Sequence, residues 1–357
     1  MRERRPHLDS LKIILVAGVI FGHGWAGYAE LGAWAYDDVR EGTLAPATQT
    51  ALEAVLGPFA LVAMGFFFLL SGLLTPGSLA RKGSGRFARD RLLRLGLPLL
   101  VFTVVLWPPT IYAMHRLAGR PGAVAFPDAA HLWFLEVLLL YCLGYAALAG
   151  RLPVPPAGGL RPGHLVALGA AIAGASFLVR VWFPLDTTQL LDLHLSQWPQ
   201  YLALFGLGVA SARAGWLDPV PDRLRRGCGI AALVGVAAIA GFAGGVALTG
   251  VPATDFLGGW HWASVGTSVA EGLLAVTVSV WLLGFAKRHL DRPYGVARYA
   301  YAAFLVQGHV LIALALSMRV LPVPVEVKAL AVSVLGVLGS YALGWLLVRR
   351  TPLGRLL

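Results

Sequence analysis

The stretch Leu11-Lys12-Ile13-Ile14-Leu15-Val16-Ala17-Gly18-Val19-Ile20-Phe21-Gly22-His23-Gly24 decides the fold class. After Lys12 it stays apolar until one histidine, and it then runs on to Tyr28. A helix crossing a bilayer needs about 20 mostly apolar residues. Arg2, Arg4 and Arg5 resemble the charged start of a signal peptide, but no small-residue cleavage site follows. The run is therefore read as a retained first span.

The rest of the chain agrees. Of 357 residues, 57% are hydrophobic and 13% charged, against about 45–50% and about 25% in soluble domains. One or two soluble cores of this size cannot hide that much apolar surface. The same composition excludes disorder, collagen and a disulfide scaffold, and Cys142 and Cys228 both sit in apolar runs. The expected class is an all-α polytopic bundle of about ten transmembrane helices. The spans lie near 11–29, 51–74, 95–114, 131–149, 164–183, 199–213, 228–249, 263–286, 297–318 and 328–348. No polar segment between them is long enough for a second domain, so residues 1–357 read as one membrane domain, with no extracytoplasmic domain expected.

The sixth span is short and opens near Pro199. Charge argues for keeping it. With ten spans and both termini in the cytoplasm, most of the 29 basic residues face the cytoplasm. Without it, the clusters Arg223–Arg226 and Lys287–Arg298 move outside, against the positive-inside rule. The net charge of +11 then belongs to cytoplasmic loops and not to nucleic-acid binding, for which no motif is present.

Ionisable residues inside a bilayer are expensive and mark function by default. His23, Glu136, Glu271 and His309 qualify, and Ser71 and Gln307 are polar within spans. The alternative is a hydrogen-bonded network that glues helices together. His23 lies 11 residues after Lys12, about 16 Å along a helix. Its flanking glycines leave room for a substrate or a helix, and an imidazole exchanges protons near neutrality. Arg91 and Arg94 are spaced i, i+3, so on an α-helix their guanidiniums share a face suited to phosphate. Loop topology or anionic lipid also explains such charge. Ahead of them stands Phe66-Phe67-Phe68…Ser71-Gly72, where Ser71-Gly72 permits close helix packing. His131-Leu132-Trp133-Phe134-Leu135-Glu136 opens the fourth span, its aromatics fitting the interfacial belt.

Taken in order, Lys12…His23, Phe66-Phe67-Phe68…Ser71-Gly72, Phe87…Arg91-x-x-Arg94…Pro98 and His131-Leu132-Trp133-Phe134-Leu135 resemble the membrane-bound acyltransferase 3 family. That family includes O-antigen acetylases, peptidoglycan O-acetyltransferases and glucan succinyltransferases, and the likeness spans roughly the whole chain. It implies that His23 is the catalytic histidine. It implies that Arg91 and Arg94 bind the acyl donor, an acyl-CoA with acetyl-CoA as the default, with Lys12 positioning it and Ser71 lining its pocket. No permanently bound cofactor or metal is expected. His23 would take the proton of an attacking hydroxyl. An acid would orient the imidazole, with Glu136 and Glu271 as candidates.

The implied acceptor is a hydroxyl of a surface glycan, glycolipid or small molecule, with a separate extracytoplasmic partner as one route to the second step. Outer residues Asp37, Asp38, Trp198, Trp260, His261 and Trp262 suit sugar rings and the interfacial belt equally. The implied location is the bacterial inner membrane. A proton-coupled transporter or exporter is the competing class, since midplane His and Glu also occur there. A non-catalytic scaffold is the third.

Overall fold

A computed structural model describes the chain except residues 1–4, 31–33, 121, 123–127, 154, 157–158, 188, 190–192, 218, 248–249 and 357. Arg2 and Arg4 lie outside the described residues. The described chain is helical and contains no strand. Nine of its helical segments are long and apolar enough to cross a membrane. The protein is a polytopic helical bundle.

The chain divides into two compact units. The first comprises Met1–Leu8, Pro58–Arg91 and Val137–Arg292, and the second Asp9–Gly57, Leu92–Glu136 and Pro293–Leu357.

The second unit opens with α1, Pro6–Ala26. A long helix, α2 (Pro46–Lys82), starts there and passes into the first unit at Pro58. The next helix, α3 (Ser84–Arg91), runs into a π-helical turn, Leu92–Gly96. Then come α4 (Leu97–Val101), a second π turn (Phe102–Leu106) and α5 (Trp107–Leu117). Single π turns inside helices concentrate at functional sites. The carboxyl end supplies α11 (Ala300–Met318) and α12 (Val325–Arg350), which pack along each other. Gly24 of α1 lies against Ser333 of α12, where an added Cβ would collide with the Ser333 backbone.

The first unit holds α6 (Trp133–Leu148, from Val137 onward), α7 (Pro162–Arg180), α8 (Trp198–Ala214), α9 (Asp222–Ala247) and α10 (Trp262–His289). Helix α10 is the axis, contacting α7, α8 and α9. The weak sixth span of the sequence is α8, a 17-residue helix that is not among the nine segments long and apolar enough to cross. It crosses α2 at two small residues: a Cβ on Gly72 would overlap the Phe205 carbonyl, and one on Gly208 would overlap the Leu69 carbonyl. Beside that crossing Phe68 stacks on Tyr201, with ring centroids 4.7 Å apart, and Phe66 is buried. Phe68 of the three-phenylalanine run thus packs helix on helix. Large apolar side chains such as Val166, Leu202, Leu233 and Leu338 are left exposed. Such a surface suits lipid, where helices satisfy every backbone polar group internally.

Candidate active site

His23 stands in the last turn of α1, which ends at Ala26 and so places the imidazole near a helix end. The chain then folds back. Trp34 stacks on the His23 ring with centroids 4.3 Å apart and planes 17° from parallel. On another side the Nδ1 of His23 lies 3.1 Å from Oε1 of Gln307 on α11. Gln307 is fully buried, and its Nε2 donates to the Phe304 carbonyl at 3.2 Å. That carbonyl also lies 3.1 Å from Nε2 of His131.

The second unit gathers two more imidazoles around these groups. The His131 ring lies 6.4 Å from that of His23, edge to face. Phe102, from the second π turn, sits edge-on to both His131 (5.1 Å) and His309 (5.4 Å). Trp107 does the same at 6.2 and 6.1 Å. Its indole donates to Asp128 Oδ2 at 2.8 Å, and Asp128 Oδ1 accepts from the Ala130 backbone at 2.7 Å. Among the described residues, His131 Nδ1 and His309 Nε2 are buried without a hydrogen-bond partner. The described residues contain no group of three or more His, Cys, Asp or Glu able to hold a metal ion.

A narrow crevice beside His23 is lined by Gly24, Gly27, Tyr28, Trp34, Tyr36 and neighbours on α11 and α12, and it has no room for a water molecule. The segment carrying Trp34 is fastened by a polar knot. Glu41 accepts from the Tyr36 hydroxyl at 2.7 Å and from Lys328 Nζ at 2.9 Å, with Arg319 at 3.8 Å. Arg319 also donates to the Val39 and Ala118 carbonyls. Burial pushes the Glu41 carboxyl up, but the bonds from Lys328 and Tyr36 outweigh it and hold the group below its ordinary range. Burial, with help from Glu41, pushes the Tyr36 hydroxyl up to about 12.

The other residues singled out in the sequence fall as follows. Lys12 on α1 pairs with Asp9 at 3.3 Å. Ser71 lies on α2, one residue before the α2–α8 crossing, and its carbonyl accepts from Thr75 at 2.8 Å. Arg91 ends α3, its guanidinium 5.0 Å over the Phe87 ring and its Nε buried without a partner among the described residues. Arg94 belongs to the π turn, where its carbonyl accepts from the Tyr301 hydroxyl. The α-helical face argued from the i, i+3 spacing therefore does not carry over unchanged. Glu136 is a half-buried residue of α6. Glu271 is fully buried in the first unit and ion-paired with Arg180 at 2.7 Å, while Arg180 donates to Ser268 at 3.2 Å.

At the His23 ring, then, the Nδ1 partner is an amide, Gln307. Trp34 and Asp128 join the surroundings with no local sequence signal to announce them. The family model Acyl_transf_3, described as an acyltransferase domain, matches residues 5–349. The chain belongs to this acyltransferase 3 family. As a member it is a multi-pass membrane acyltransferase. No curated protein and no solved structure matches the chain.

Proposed function

We propose that this family member is an O-acyltransferase of the bacterial inner membrane, with both termini in the cytoplasm. It moves an acyl group, acetyl by default, from cytoplasmic acyl-CoA to a hydroxyl of a surface glycan, glycolipid or small molecule. The observation that carries the proposal is the His23 site: a half-buried imidazole clamped between Trp34 and Gln307, with the His131 ring 6.4 Å away.

The chemistry follows from what an imidazole does. An alcohol is a weak nucleophile at neutral pH. A ring nitrogen of His23 takes the hydroxyl proton as the oxygen attacks the thioester carbonyl. A C–O bond forms, the C–S bond breaks, and the imidazolium returns its proton to the departing thiolate. The surrounding aromatics keep bulk water, the competing acceptor, away from the thioester. Because the crevice beside His23 has no room for a water molecule, substrates enter only when it widens, and Gly27, Tyr28, Trp34 and Tyr36 line it from outside the long helices. Arg91 and Arg94 would take the donor phosphates through their guanidinium forks, assisted by Lys12 and Ser71. Glu136 and Glu271 are kept as the candidate acids of the proposed reaction.

The test is release of free CoA thiol by purified protein given acetyl-CoA or succinyl-CoA and a panel of glycan acceptors. Acceptor-dependent release that disappears in His23→Ala supports the proposal. Donor binding measured separately should weaken in Arg91→Ala and Arg94→Ala. No release and no donor binding with either thioester sinks it.

A further inference from the structure

We propose that Gln307 is a positioning residue that holds His23 as the Nδ1–H tautomer and leaves Nε2 as the nitrogen facing the incoming hydroxyl. The claim rests on the acyl-transfer reading for its consequence, but not for its geometry.

The geometry starts on α11. Phe304 and Gln307 are three residues apart, so the glutamine side chain can reach back over its own turn to the Phe304 carbonyl. A carbonyl oxygen only accepts. The end of the amide that meets it must therefore be the NH2 end, and the contact is 3.2 Å from Nε2. Turning the amide over would set oxygen against oxygen in a place without solvent, since Gln307 is fully buried. The Phe304 carbonyl is itself engaged by His131 Nε2 at 3.1 Å, which keeps it from turning away.

The orientation of the amide then dictates the imidazole. Oε1 points at His23 Nδ1 across 3.1 Å, and an amide oxygen cannot donate. Nδ1 must carry the hydrogen. A neutral imidazole carries one N–H, so the lone pair is on Nε2. Trp34, stacked flat on the ring, opposes the rotation that would exchange the two nitrogens. The tautomer of His23 is thus set through a chain of three groups: the Phe304 carbonyl, the Gln307 amide and the ring.

An amide in this place differs from the carboxylate of a hydrolase triad. It sets the tautomer without adding a fixed negative charge to a site where charge is costly. His23 then begins and ends each turnover neutral.

The experiment uses the full-length protein in lipid, labelled with ring-15N histidine. Protonated and bare ring nitrogens resonate far apart, and the difference from His23→Ala isolates His23 from the nine histidines. The expected wild-type pattern is Nδ1–H with bare Nε2. In Gln307→Leu that preference should be lost, with kcat down on the order of 10-fold and the KM for donor unchanged. Gln307→Glu, which keeps an acceptor oxygen toward Nδ1, should recover part of the rate. A wild-type His23 protonated at Nε2 overturns the proposal. So does a Gln307→Leu protein whose His23 tautomer is unchanged. If Gln307→Leu does not fold, the wild-type spectrum and the Gln307→Glu variant decide. Absence of acyl transfer in a wild type that shows the expected spectrum removes the proposed chemistry and leaves the positioning role standing.

Discussion

The His23 imidazole and the Trp34 indole lie face to face, 4.3 Å apart and 17° from parallel. One face of the ring is therefore closed by a residue outside the long helices. Trp34→Ala should expose it. The rate at which diethyl pyrocarbonate modifies His23 should rise several-fold, and acyl-CoA hydrolysis without acceptor should rise with it. Peptide mapping of the modified histidine and a thiol assay check both. A modification rate equal to that of the wild type would mean that the indole does not cover the ring in solution.

The Arg180–Glu271 pair is fully buried at 2.7 Å. Removing one partner strands a charge, at a cost of about 3–5 kcal/mol. Arg180→Leu and Glu271→Leu should each lower the unfolding temperature in detergent sharply. The double variant, with no charge left to bury, should recover much of the loss. If the double variant is as unstable as the sum of the singles, the two side chains are not coupled.

At the α2–α8 crossing the backbones meet at Gly72 and Gly208. Gly72→Ala should cost roughly 1–3 kcal/mol, the range for overpacking a close contact. Gly72→Val should abolish a monodisperse peak in size-exclusion chromatography. Gly174→Ala, where an added Cβ meets nothing within 4 Å, is the control and should behave as wild type.

Glu41 titrates below the ordinary carboxylate range because Lys328 and Tyr36 bond to its ionised form more strongly than burial opposes it. A depressed carboxyl stabilises the fold above its unfolded pKa, about 4.3, and loses that contribution as pH falls through the folded value. The wild type should therefore melt above Glu41→Gln at pH 7, and the gap should close below about pH 4. Melting curves of both proteins from pH 3 to about 8 test this; a gap that persists at the acid end contradicts it.

Much of this could be read from the chain, for physical reasons. Apolar runs of bilayer length announce helices whatever their packing, so the spans near 11–29 and 297–318 correspond to Pro6–Ala26 and Ala300–Met318. The close packing expected at Ser71-Gly72 is present because only glycine permits that approach. Helix ends were less legible. His23 sits in a last turn because the helix stops at Ala26, although the apolar run continues to Tyr28. The π turns that carry Arg94 and Phe102 have no pattern of their own in an apolar stretch. Arg180 closes an apolar run and lies buried against Glu271, a partner 91 positions away that no local pattern announces. Gln307 was visible as a polar residue in a span, but not as the partner of His23. That pairing joins two helices from opposite ends of the chain, and no local periodicity encodes it.

The hydrogen bond from His23 to Gln307 bridges 284 positions. During synthesis, α1 is made first and α11 almost last. Contacts that close so long a loop form late and slowly. A ribosome-bound chain therefore carries His23 through nearly all of its insertion without its Gln307 partner. The partner of its Nδ1 arrives only when α11 has been laid in. A polypeptide truncated before α11 keeps His23 and lacks the amide that meets its ring.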